Sequence, residues 1–298
     1  MPLRKPLQTM SNAEFKRWIM RWWPVQPRIF PQGFGLPYLF GDGSDGDATI
    51  SADTNFATGT IKQYRTLTID ATKTLGCSDA TVGLLMILVN ERCIINGTIS
   101  LNGKGGAGTA GVDATSRTTS QAGSGGGGGG GQGTAGWAGG ASQVAGGTFG
   151  AIGANDGSAG SALTEYDKNS FRVRQDRKDF STASFGGGGG GGGQDIPGVG
   201  VLGGNGGGAL ILFAYELHLA SGGVISSNGN AGAAGGALNR GGGGGGGGGF
   251  IWILSTNFLE EGSITVTAGS GGAAGGAISG AGAAGGAGSI IRDKNPVT

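Results

Sequence analysis

The stretch GDGSDGDAT, Gly41–Thr49, crowds Asp42, Asp45 and Asp47 into one turn. Carboxylates this close can hold a hard cation, but an EF-hand-type calcium loop also needs a distal bidentate Glu. That Glu is missing, so the stretch reads as an acidic turn and no metal site is assigned. Glycosidase chemistry needs two carboxylates facing each other across a sugar bond. Glu260 and Glu261 are sequence neighbours, which a strand points to opposite faces, and nothing positions Glu165 against Asp167. The single histidine, His218, alternates with Leu217 and Leu219 and has no partner for a triad. The two cysteines, Cys77 and Cys93, lie outside any CxxC pattern, so a Cys/His metal site is not expected and their pairing stays open. G-x-G-x-x-G matches are frequent, but the dinucleotide fingerprint needs a strand before and a helix after, with a downstream acid. Lys104 in NGKGG lacks P-loop spacing, and NGT at Asn96 reads as a turn. No catalytic residue, cofactor site or metal site is assigned, and the chain is not expected to be an enzyme.

Composition narrows the field further. Of 298 residues, 73 are glycine, 37% are hydrophobic and 13% charged, with a formal net charge of +1. Disorder normally combines low hydrophobicity with high net charge, so these glycines do not read as linker. Collagen needs glycine at every third position with abundant proline, whereas here glycines run together and only 8 prolines occur. Near-neutrality gives no electrostatic case for nucleic acid or an acidic membrane. No segment has the length of a transmembrane helix, and MPLRKPLQTM lacks the apolar core of a signal peptide. The expected site of synthesis is the cytoplasm.

Residues 1–40 stand apart as basic, aromatic and proline-rich. Ser11-Asn12-Ala13-Glu14 is a capping box, which predicts a short helix over about residues 12–23, ended by Pro24. Residues 24–40, with four prolines, predict an extended strap. Trp18, Trp22, Trp23, Phe30 and Phe34 are too many large apolar side chains for so short a segment to bury. They are expected to dock on another protein, a role that Trp suits.

The remainder, 41–298, carries an internal repeat. GLLMILVNERCIINGTISLNG (83–103), GALILFAYELHLASGGVISSNG (208–229) and GFIWILSTNFLEEGSITVTAG (249–269) share one plan. Each has a glycine, a run of β-formers, a polar break, then an alternating segment ending in a turn glycine. Such units cannot bury their own apolar face and must lie against their copies. The expected fold class is all-β: β-solenoid or β-helix-like repeats, with Asn102-Gly103 and Asn228-Gly229 supplying positive φ at corners. Between the repeats fall glycine-rich inserts, the longest over 105–206 with the runs Gly125–Gly131 and Gly186–Gly193, and another with Gly241–Gly249. Pure glycine can adopt the three-residue-per-turn extended helix. A lattice of such helices, with every N–H and C=O paired to a neighbour, satisfies the backbone. A packed polyglycine II lattice is therefore expected beside the repeats.

One insert holds a patch of ordinary composition, Leu163–Phe185, with Tyr166, Phe171, Arg172, Arg174 and Arg177 among its aromatic and charged residues. Together with Trp137 it forms a candidate recognition loop.

FGDGSDGDATIS (40–51), TLTID, NGTISLNGKGG and the glycine runs resemble a module of glycine-rich tailed-bacteriophage virion proteins of the tail-fibre and tailspike type. Trp18, Trp22 and Trp23 ahead of three glycine runs are also similar to the tail-fibre tip adhesins of T-even-like phages. That resemblance implies an N-terminal attachment segment, a body of polyglycine II helices, and distal loops that bind host outer-membrane receptors. The expected function is thus a structural and receptor-binding protein of a virion. Its expected partners are other virion proteins through residues 1–40 and a host cell-surface receptor or polysaccharide. A homotrimer is among the assemblies this allows, and neither nucleic acid nor membrane insertion is expected. A decoration, head-fibre or baseplate protein without receptor binding is one alternative, and a polysaccharide-depolymerising tailspike another.

Overall fold

The computed structural model describes residues 40–80, 83–108, 201–236, 240–275 and 279–294, all within the compact unit Phe40–Thr298. The described secondary structure is eleven strands: β1 (Asp47–Ile50), β2 (Thr54–Phe56), β3 (Thr60–Ile69), β4 (Thr74–Cys77), β5 (Leu84–Ile95), β6 (Thr98–Ser100), β7 (Ala209–Leu219), β8 (Val224–Ser226), β9 (Phe250–Glu260), β10 (Ser263–Thr265) and β11 (Ser289–Lys294). Odd-numbered strands form a six-stranded sheet in the order β1-β3-β5-β7-β9-β11, and even-numbered ones a five-stranded sheet in the order β10-β8-β6-β4-β2. All pairings are parallel.

The long strands explain their own burial. Leu84–Ile87, Ala209–Ala214 and Phe250–Ile253 are buried at every position, the continuous apolar run of a parallel strand covered on both faces. The second halves alternate instead. In β5 the change of phase comes at a bulge: Val89 pairs with Ala214 and Arg92 with Glu216, so Asn90 and Glu91 together stand opposite the single Tyr215. An extra residue of this kind bends a strand and re-aims the side chains beyond it. The core holds Leu67, Ile69, Leu85, Ile87, Cys93, Ile95, Leu210, Leu212, Leu217 and Ile253 from the large sheet and Leu75, Cys77, Ile99 and Ile225 from the small one. Each such Leu or Ile contributes about 1.5–3 kcal/mol over an exposed position.

The recurring Asn-Gly pairs have two separate causes. Asn102 Oδ1 accepts from the Asn228 amide at 2.7 Å, and Asn228 Oδ1 accepts from the Thr267 amide at 2.7 Å, a side-chain ladder that joins successive repeats. Gly103 has φ of 64°, as a left-handed corner requires. Gly229 is not left-handed; a Cβ there would collide with the Gly246 carbonyl.

The expected fold class is corrected. The described residues form two parallel sheets with no helix among them, and not a β-solenoid or β-helix interleaved with a polyglycine II lattice. The physical reason lies in the glycine-rich returns. With no side chains they cannot line a further β face, and they join neither sheet. The expected helix over about 12–23 and the strap after it lie outside the described residues, as do Gly125–Gly131 and Gly186–Gly193.

The described glycine segments bond to one another instead. Gly242, Gly245 and Gly248 donate their amides to Gly280, Ala283 and Gly286 at 3.0, 2.8 and 2.8 Å, and Gly243, Gly246 and Gly249 donate to Ala233, Asn230 and Ser227 at 2.9, 2.9 and 2.7 Å. The carbonyls of Gly244 and Gly247 accept from Gly204 and Gly207, and those of Gly243 and Gly246 from Gly272 and Gly269. The partners of 240–249 thus rotate around the segment every third residue, and it is held by four neighbouring stretches of chain.

Candidate functional site

None of the candidate docking or recognition residues lies in the described structure. Trp18, Trp22, Trp23, Phe30 and Phe34 fall outside it, and so do Trp137, Tyr166, Phe171, Arg172, Arg174 and Arg177.

The described residues carry a different chemically rich surface, the outward face of the large sheet beyond the bulge. In-register pairing aligns Asp47, Thr66, Arg92, Glu216 and Asn257 in one row across β1, β3, β5, β7 and β9, and Thr49, Thr68, Ile94, His218 and Leu259 in the next. Neighbouring members of a row stand about 4.8 Å apart, the strand spacing. Arg65 Nε donates to Asp47 Oδ1 at 2.8 Å and its Nη2 to Asp47 Oδ2, while the Thr66 hydroxyl donates to Asp47 Oδ1 at 2.8 Å. The Arg65 bonds, then that of Thr66, hold the Asp47 carboxyl down to about 2. Arg92 Nε meets Glu216 Oε2 at 3.1 Å, and His218 Nε2 lies 3.3 Å from Glu261 Oε2. Tyr215, on the same strand as Glu216 and His218, is 38% exposed.

These carboxylates are each matched to a basic side chain. Such a face presents hydrogen-bond donors and acceptors with little net charge. Glu260, the last residue of β9, bonds Arg292 at 2.7 Å, while Glu261, just past the strand, reaches His218.

The acidic turn is similarly occupied. Ser44 N donates to Asp42 Oδ1 at 2.9 Å, and Gln63 N donates to Asp45 Oδ2 at 2.7 Å. The bonds from Ser44 lower the Asp42 pKa. Lys62 Nζ lies 3.6 Å from Asp45. Among the described residues no group of three or more His, Cys, Asp or Glu is arranged to hold a metal ion. Both cysteines are free and buried, and burial pushes the Cys93 thiol up to about 12, far from the range of a reactive thiolate.

Sequence reading does not single out the outward face. Arg65, Arg92 and Glu216 look like an ordinary polar break until the bulge at Asn90-Glu91 sets their phase. The available signal is the recurrence of that break at the same place in each repeat.

Among the described residues, two parallel sheets and a cross-bonded glycine region carry an exposed row of paired charges. The chain matches no protein family, no curated protein and no solved structure.

Proposed function

We propose that this chain is a structural and host-receptor-binding protein of a phage tail fibre or virion, without catalysis. The observation that carries the proposal is the cross-bonded glycine region: Gly241–Gly249 is buried throughout, and six of its amides, those of Gly242, Gly243, Gly245, Gly246, Gly248 and Gly249, donate to backbone carbonyls of neighbouring segments. A body held through main chain is stiff, offers few side chains to proteases, and suits a spacer that presents loops. Residues 1–40, through Trp18, Trp22, Trp23, Phe30 and Phe34, attach it to other virion proteins. Leu163–Phe185, with Trp137, contacts the receptor. The resemblance of Phe40–Ser51 and the glycine runs to virion modules supports the same function.

Two measurements test it on the full chain. Purified protein added to host cells is expected to compete with particles for adsorption, and antibody against it is expected to label intact particles. Absence of label would overturn the virion assignment. Label without competition at saturating protein would overturn receptor binding and leave a decoration protein.

A further inference from the structure

An asparagine followed by glycine is a dipeptide open to spontaneous deamidation, because no side chain hinders the second residue's nitrogen and glycine backbone turns freely. The glycine amide nitrogen loses its proton to base and attacks the asparagine Cγ. A C–N bond forms, the Cγ–Nδ2 bond breaks, and ammonia leaves. Water then opens the cyclic imide at either carbonyl, giving aspartate or isoaspartate. The ring closes only if both reacting groups are free to move. Four such pairs occur in the chain, Asn96-Gly97, Asn102-Gly103, Asn205-Gly206 and Asn228-Gly229, and all lie among the described residues.

Three of them are held at both reacting groups. Asn102 Oδ1 accepts from the Asn228 amide and Asn228 Oδ1 from the Thr267 amide, each at 2.7 Å. Asn205 Oδ1 accepts from the Gly108 amide at 2.9 Å. The nitrogens that would attack are themselves donors: Gly103 to the Asn228 carbonyl, Gly229 to that of Thr267, and Gly206 to that of Gly106, each at 2.9 Å. Cyclisation at any of these pairs must first break bonds between separate stretches of chain.

Asn96-Gly97 differs on both counts. It forms the turn between β5 and β6. Among the described residues no hydrogen bond holds the half-buried Asn96 side chain. The Gly97 amide reaches the Ile69 carbonyl at 3.2 Å and shares it with the Asn96 amide, which is closer at 3.0 Å. A shared acceptor at the long end of the hydrogen-bond range holds a donor weakly.

We propose that Asn96-Gly97 is the site at which this chain deamidates while folded, with water as the co-reactant, and that the side-chain bonds of Asn102, Asn205 and Asn228 shield the other three pairs. The distribution matches what each place tolerates. Asn102, Asn205 and Asn228 stand where backbone bonding passes into or along the glycine segments. The additional main-chain methylene of an isoaspartate there would put the later bonds out of step. Asn96 stands in a connecting turn.

Peptide mapping by mass spectrometry tests the proposal on the full chain, incubated at mildly alkaline pH. Trypsin, cutting after Arg92 and Lys104, releases Cys93–Lys104 with Asn96 and Asn102 in one peptide, so fragmentation compares the two directly. In the folded protein Asn96 is expected to convert at least about tenfold faster than Asn102, Asn205 or Asn228, since the held pairs react only through local opening. In guanidinium chloride, where those bonds are gone, the four are expected to convert at comparable rates. Conversion of Asn102 in step with Asn96 in the folded protein would overturn the shielding. An unreacted Asn96 in the folded protein, over a time in which it converts in denaturant, would overturn the site. Persistence of the difference in denaturant would overturn the proposal as well, because local sequence and not the fold would then set the rates.

Discussion

The two sheets and the glycine segments solve one problem, ordering a chain against its conformational entropy, by opposite means. In the sheets, side chains do the holding: Leu85, Ile87, Leu210, Leu212 and Ile253 are shielded from water, and the backbone ladder comes with them. In segments 201–208, 227–235, 240–249, 269–275 and 279–288 the backbone does the holding, and a side chain is mostly an obstruction. A sheet therefore tolerates a change of side chain and suffers from a lost one. The glycine region suffers from a gained one.

Amide hydrogen exchange breaks or sharpens that comparison most directly. Gly242, Gly245 and Gly248 are expected to be protected to the same degree as the amides of β7, because they are buried and donate to backbone carbonyls at 3.0, 2.8 and 2.8 Å. Exchange of these glycines at the rate of free peptide would sink the idea that backbone bonding alone orders the region.

Substitution comes next. Leu212→Ala leaves a cavity where exposure was zero and is expected to cost about 2–5 kcal/mol in chemical denaturation. Gly245→Ala adds a single methyl in collision with the Gly269 carbonyl, with an expected cost of about 1–3 kcal/mol by the same measurement. A neutral Gly245→Ala would mean that the neighbouring segments move freely, and the contrast between the regions would vanish.

Smaller effects probe the turns and the exposed face. Thr72, between β3 and β4, is the one non-glycine residue with positive φ among those described, at 67°. Left-handed backbone costs an L-residue roughly 1–2 kcal/mol, partly offset by glycine's larger entropy loss. Thr72→Gly is expected to stabilise by about 0.5–1 kcal/mol, read as a raised denaturation midpoint.

Asp47 sets the expectation for pH. Its folded pKa of about 2 lies below the ordinary 3.8, so its contribution is complete above about pH 4 and declines as pH falls through about 2. Because the group is solvent-exposed the effect is small. Asp47→Asn is expected to flatten the acid limb of stability between those values and to lower stability slightly at neutral pH, where the contribution is fully present.

Much of the strand content was legible. GLLMILV, GALILFA and GFIWIL read as strands because they are runs of β-formers, and the Asn-Gly pairs read as left-handed corners, which holds at Gly103 and not at Gly229, while the ladder of Asn102 and Asn228 was not legible. The architecture was not legible, because repeated units suggest a solenoid, whereas glycine returns build no third β face. The charged face was illegible for a narrower reason. One extra residue in β5 shifts the phase, and single-chain alternation cannot show which neighbour Arg92 or Tyr215 will meet. The expected docking and recognition groups, such as Trp22 and Arg174, lie outside the described structure and bear on neither point.

The amino-acid sequence by itself determined where strands form and where side chains are excluded, since both come from local chemistry: β-branched and aliphatic runs on one hand, bare backbone on the other. Tertiary structure alone decided which glycine must be glycine and which charges meet across strands. Gly245 must be glycine because the Gly269 carbonyl occupies the place its Cβ would take, a contact between segments that local sequence does not show.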